Sequence, residues 1–273
     1  MVIHDSRRFR RFTQVALSAS VLAVAAAWTP AARGAATLCG SVVTDDLTLD
    51  QDLTCPADGL IVGADGVRID LDGHSITGAG AGVGISVTGH AGVTIFGDGT
   101  IATFRTAVQI GESRDVVIKD TVLAENVDGV DVMQGSRGIT IKANEFDTNS
   151  VRGVMLRSGV TDVEVKNNTF TGNRIGMLVN GPTNAIVKAN FISSSLLAGI
   201  RVGPTATDNL LLDNVIIANP AGIEFVITAG ASATGNTVQD NHVTANTCGL
   251  KGPTAGNTFR GNLVTANVTD FCA

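Results

Sequence analysis

The sequence predicts an all-β chain wound as a parallel β-helix of about nine coils, capped at both ends. Three observations carry this reading. The first is an alternating apolar triplet that recurs as Val83-Gly84-Ile85, Val130-Asp131-Val132, Val154-Met155-Leu156, Met177-Leu178-Val179, Ile200-Arg201-Val202 and Ile223-Glu224-Phe225, with spacings of 24, 23, 23 and 23 from Val130 onward. The second is another alternating run about ten residues later, at Val67/Ile69/Leu71, Val93/Ile95, Val116/Ile118, Ile139/Ile141 and Val163/Val165. Period 2 within each run means strands, and the constant outer period means stacked coils. The third is a set of asparagines separated by five: Asn144/Asn149, Asn168/Asn173, Asn214/Asn219, Asn241/Asn246 and Asn262/Asn267. Asparagine satisfies turn backbone while tolerating left-handed dihedrals, and at a rung spacing of about 4.8 Å stacked amides bond as a ladder.

Competing architectures fit less well. Leucine-rich repeats share the period, but Val and Ile dominate where they need Leu. Helical solenoids fail because no row of this sequence contains a 3.6-period stretch long enough for a helix. Of the 273 residues, 44% are hydrophobic, 16% are charged, 32 are Gly and none is Tyr. The low charge fraction argues against a disordered chain.

In chain order, residues 1–36 read as a signal peptide. Arg7, Arg8, Arg10 and Arg11 form a basic n-region, Val15 to Ala27 an apolar run, and Gly34-Ala35-Ala36 a small-residue cleavage stretch. The 13-residue apolar run is too short to span a bilayer, although an uncleaved anchor is the competing reading. Cleavage removes five Arg and one Asp, taking the formal net charge from −6 to −10. That balance disfavours nucleic acid as a partner. It leaves no stable membrane span and places the mature chain in a secreted or periplasmic setting.

Residues 37–58 read as an N-terminal cap, 59–247 as the coils of a rod about 40 Å long, and 248–273 as the last coil and C-terminal cap. The row after Ile223 is longer, so residues 229–233 are expected to bulge. Four cysteines, Cys39, Cys55, Cys248 and Cys272, allow three disulfide pairings. Cys39–Cys55 with Cys248–Cys272 is the natural one, because each bond then staples one end. Metal ligation is the alternative, without a C-x-x-C spacing to support it.

The rows resemble the right-handed parallel β-helix repeats of the pectate-lyase-like superfamily, most clearly from Val163 to Asn173. The stretch from Cys39 to Cys55, followed by Val67 to Gly78, is similar to the first coils of exported bacterial members. The resemblance implies a single-stranded right-handed fold. It says less about function, because the superfamily contains lyases, hydrolases, epimerases, binding and structural proteins. The Asp-Pro-His-Asp string of mannuronan epimerases is absent. Against the Asp-Asp pair and Gly-His-Gly of galacturonan hydrolases, the chain offers Asp45-Asp46 in the cap, Gly73-His74-Ser75 and Gly89-His90-Ala91.

Four constellations remain as candidates. Asp70, Asp72 and His74 alternate as if along one strand and are candidates to hold a divalent cation such as calcium, or to act as an acid and a base, against the plainer reading of a solvated first rung with His74 starting the turn ladder. Lys119, Lys142, Lys166 and Lys188 fall on one outward column over four rungs, where a polyanion would relieve their mutual repulsion, unless carboxylates such as Asp120 and Glu164 already do. Asp131, Arg201 and Glu224 share another outward column, with Arg157 nearby. A carboxylate beside two guanidiniums would suit proton abstraction next to a sugar carboxylate, and it also describes an ordinary salt-bridged surface. Some similar exported β-helix proteins assist nitrous oxide reductase maturation, so copper is a further candidate. Met133, Met155 and Met177 are evenly spaced by 22, but they drift relative to the coils, and His74, His90 and His242 fall on distant rungs.

The resulting expectation is an exported module that engages an extended polysaccharide or cell-surface polymer. The alternatives are a lyase or epimerase acting on uronates, and an accessory protein for metal-enzyme maturation.

Overall fold

The structure, a computed structural model, describes residues 38–228 and 230–273; the leader read at 1–36 lies outside the described residues. The chain winds through three parallel sheets, and each coil gives one strand to each sheet in turn. The first sheet has 11 strands, from Ser41–Val43 to Thr269–Cys272. The second has 10, from Leu47–Thr48 to Thr258–Arg260, and the third 10, from Leu53–Thr54 to Leu263–Thr265. These make ten full coils and one further strand, close to the expected nine. We number the coils 1 to 10 from Ser41. Residues 41–54 stack as coil 1, bonded in register to coil 2, with Cys39 and Cys55 joined by a disulfide across it. Cys248 and Cys272 are joined between the last two strands of the first sheet.

Alternation places Val, Ile, Leu and Phe inside, in one continuous core from Val43 to Leu250. Phe146 and Phe170 stack face to face in neighbouring coils at 4.6 Å between centroids. The first sheet approaches these rings through glycine: a methyl on Gly153 would sit 2.6 Å from the Gly176 carbonyl oxygen and 2.7 Å from the Phe170 ring.

Corners are made by a residue of positive φ followed by a ladder residue. Between the second and third sheets these pairs include Ala143-Asn144, Asn167-Asn168, Ala189-Asn190 and Asp213-Asn214, the first member at φ of 54°, 54°, 51° and 53°. In each ladder one Asn Oδ1 accepts both the backbone N–H and the Nδ2–H of the Asn one coil earlier, as Asn168 does from Asn144 at 2.9 and 3.1 Å. Its own Nδ2 donates to the Ile141 carbonyl. Three ladders run along the three corners: Asn144 to Asn262, Asn126 to Asn267, and Asn209 to Asn257. Buried turn backbone is thereby paired. The expected bulge after Ile223 contains an antiparallel bridge between Thr228 and Ala231; Ala229 lies outside the described residues.

Candidate functional site

Register on the second sheet stacks Lys119, Lys142, Lys166 and Lys188 on coils 4 to 7, with Leu212 following on coil 8. Each step is one strand spacing, so the row runs about 14 Å. Carboxylates meet three of the four ammonium groups. Lys119 Nζ lies 3.0 Å from Asp120, and Glu164 is shared, donated to by Lys166 and lying 2.7 Å from Lys188. Both lysines hold the Glu164 carboxyl below its ordinary value. Among the described residues, Lys142 has no ion-pair partner. At the start of the row Phe96 carries two cations over its ring, Arg68 at 4.9 Å and Lys119 at 5.2 Å.

The outward face of the first sheet carries a second charged site. Register gives the column Gln109, Asp131, Met155, Leu178, Arg201, Glu224, Lys251. Arg157 grips Asp131 with two hydrogen bonds of 2.8 and 2.7 Å, and that carboxylate raises the Arg157 pKa further. Beside it Arg152 grips Asp128 in the same way at 2.6 and 2.9 Å. Asp128 and Asp131 are only 6% and 3% exposed. They line a recess of about 360 Å³ with Arg105, Gln109 and Met133. The Asp128–Arg152 pair escaped the sequence reading, although opposite charges 24 residues apart, one coil, were its signal.

The structure corrects two expectations here. Arg201 is not beside Asp131: three coils, about 14 Å of stacking, separate their positions, and Arg201 Nε instead lies 2.9 Å from Glu224, out of line for a hydrogen bond. Glu224 also meets Lys251 at 3.0 Å. Sharing a column is not proximity. Nor do Asp70, Asp72 and His74 lie along one strand. That strand ends at Asp70, Asp72 turns at φ 46°, and His74 reaches Asp52 at 3.6 Å. Asp70 Oδ1 accepts the Asp72 N–H. Among the described residues, no three His, Cys, Asp or Glu side chains are placed to hold a metal ion together.

A right-handed parallel β-helix with Asn-laddered corners and in-register outward columns defines a pectate-lyase-like protein. More narrowly, residues 66–232 match the family described as periplasmic copper-binding protein (NosD), and the chain belongs to that family. Family membership and the two disulfides identify an exported, periplasmic protein. Among the described residues, no helix is long and apolar enough to cross a membrane.

Solved structures agree on the fold. The alginate lyase of Paenibacillus sp. str. FPU-7 superposes with a TM-score of 0.66 at 13% identity, covering 84% of this chain and 90% of that one. The A-module of the Azotobacter vinelandii mannuronan C-5 epimerase AlgE4 gives 0.63 at 12% identity, covering 84% and 82%. The periplasmic alginate epimerase AlgG gives 0.56 at 17% identity, covering 76% and 60%. No curated protein sequence matches the chain.

The family description raises copper, and the donors do not fit it. All four cysteines are in disulfides. Met177 is wholly buried in the core, while Met155 faces outward but is 5% exposed, its sulfur 3.6 Å from Arg152 Nη1. His74 and His90 turn to Asp52 and Asp65, and His242 lies on coil 9 of the third sheet. A soft copper site needs such donors converging, and among the described residues they are dispersed.

Proposed function

We propose that the protein is a non-catalytic periplasmic module that holds an extended acidic polysaccharide, of the uronate class, along the coil axis on the row Lys119, Lys142, Lys166 and Lys188. One observation carries the reading: four ammonium groups stand in register on consecutive strands, and only two carboxylates are paired with them. Like charges about 5 Å apart repel by roughly 1 kcal/mol even in water, so the row is a cost that a regularly spaced polyanion removes. Its net positive charge stands out on a chain that is otherwise strongly acidic.

The first-sheet recess offers less as a catalytic centre. General acid–base work needs a carboxylate free to exchange a proton, and both oxygens of Asp128 and of Asp131 are bound by guanidinium. Affinity electrophoresis in polygalacturonate, alginate and neutral glucan, with and without calcium, tests the reading. Retention is expected in the acidic gels only, weakened by salt and abolished in the Lys142→Ala/Lys166→Ala double variant. Unchanged retention of that variant overturns the lysine row as the site. Appearance of unsaturated-uronate absorbance would overturn the non-catalytic assignment and direct attention to Asp128 and Asp131.

A further inference from the structure

The first-sheet recess holds one sulfur that the lysine row does not involve. Every described cysteine is spent in a disulfide, so among the described residues the oxidisable sulfur is thioether. The methionines there differ in access. Met177 is fully buried in the core, and Met155 is 5% exposed beside the Arg152 guanidinium, whereas Met133 is half-exposed and lines the recess. Outside the cytosol, away from its glutathione and thioredoxin, such a side chain meets oxidants directly.

The coil fixes where this methionine stands. Met133 follows the strand Asp128–Val132; its N–H donates to the Ile110 carbonyl at 2.8 Å, and its own carbonyl accepts from Ser136. Residues two apart along a strand share a face, so Met133 points outward beside Asp131. Gly111 lies opposite in the preceding coil, where a methyl would stand 3.9 Å from the Met133 sulfur. Arg157 lies opposite in the following coil, since it succeeds Leu156, the partner of Val132, and its guanidinium reaches back to Asp131. The recess around the sulfur has donors to spare. Arg157 spends Nε and Nη2 on Asp131 and keeps Nη1, while Arg105 and Gln109 have no side-chain partner among the described residues. A thioether is a weak acceptor and leaves such donors unanswered. A sulfoxide oxygen is polar and answers them.

We propose that Met133 is a site of reversible oxidation, converted by a hydroperoxide into one methionine sulfoxide epimer that Arg105, Gln109 and the free Nη1 of Arg157 hold. The sulfur lone pair attacks one peroxide oxygen, and the S–O bond forms as the O–O bond breaks. The departing hydroxide takes the proton of the transferred OH and leaves as water, so sulfur is oxidised by the electron pair that reduces the peroxide. Negative charge grows on the departing oxygen, where fixed donors in a sheltered recess stabilise it most. The wall formed by the Gly111 coil leaves one side of the sulfur open to the recess, which selects one epimer. The S–O dipole then competes with Asp131 for Arg157, so oxidation resets the charged face of the first sheet. The lysine row, on the second sheet, takes no part.

Peptide mapping by mass spectrometry, on the exported protein after timed exposure to hydrogen peroxide, tests the proposal. Met133 is expected to gain oxygen at least about tenfold faster than Met155 and Met177, and its product to be reduced by only one of the two epimer-specific sulfoxide reductases. The double variant Arg105→Leu/Gln109→Leu separates the donors from mere access. Both positions are outward and neither is fully buried, both aspartate–arginine pairs stay in place, and circular dichroism checks the fold. Access alone predicts that the variant oxidises as fast as before or faster. Donor-assisted oxidation predicts a rate several-fold lower and a product that both reductases attack. Met133 oxidising no faster than Met155, an undiminished rate in the double variant, or equal epimers from the unaltered protein overturns the proposal.

Discussion

Ser195 is the one interruption in the ladder that runs from Asn126 to Asn267. Asn149 Oδ1 accepts from Asn126, Asn173 from Asn149, and then the column offers Ser195 before Asn219 resumes it. A serine side chain is one atom too short to span a rung. Its Oγ is buried without a partner, although its backbone N–H reaches Asn219 at 2.9 Å. The position is 3% exposed, and every neighbouring coil accommodates Asn there. Ser195→Asn is therefore expected to restore the amide chain between Asn173 and Asn219. One or two net hydrogen bonds amount to about 1–2 kcal/mol, or a rise of about 2–8 °C in melting temperature for a domain of this size. Calorimetry checks it, and a lowered melting temperature would mean that the gap is needed as it is. The ladder itself was legible from Asn pairs five apart, because each corner residue repeats with the coil. The column Asn209, Asn236, Asn257 was not read, although its spacings of 27 and 21 copy those of Asn214, Asn241 and Asn262.

At the scale of the coil, the start of the solenoid, coil 1 and the first corner of coil 2, is held differently from the rest. Where later coils use asparagine, aspartates here receive backbone N–H groups of the next turn: Asp46 from Arg68, Asp52 from Ser75, Asp58 from Val83 and Asp65 from Ala91. The Ser75 and Ala91 amides are the main cause that holds the carboxyl groups of Asp52 and Asp65 below their ordinary value, with His74 and His90 adding to it. A carboxyl group depressed on folding contributes stability that is complete above the unfolded value, about 3.9, and fades as pH drops through the folded one. Coil 1 and the first corner of coil 2 are therefore expected to loosen first in acid, below about pH 4, while the asparagine ladders, which do not titrate, persist. Amide NMR shifts of Ser75 and Ala91 moving before those of Asn168 and Asn190 on acidification would bear this out; a single simultaneous transition would contradict it. The sequence reading treated residues 37–58 as a cap rather than a coil because Leu47–Thr48 and Leu53–Thr54 are too short for alternation to register.

For the whole molecule, the period fixes register, and register makes an outward column readable before any coordinate is known. Lys119, Lys142, Lys166 and Lys188 align for that reason. What the period does not reveal is the rotamer, and with it which ions pair. Asp131 took Arg157, one coil away and two residues along, rather than Arg201 in its own column. Glu164 likewise became the clamp between Lys166 and Lys188, and it separates the two meanings of the lysine row. If the row exists to bind a polyanion, Glu164 competes with the ligand for both ammonium groups. Glu164→Gln keeps the shape, removes the competing charge and leaves the two lysines facing one another. Retention on polygalacturonate is then expected to strengthen several-fold, while the free protein loses no more than about 1 kcal/mol, as befits partly exposed pairs. Were the lysines merely solvated outward positions, the same substitution would leave retention where it was and change only the melting temperature. Gel retention and calorimetry on the one variant thus distinguish a ligand surface from a salt-bridged one.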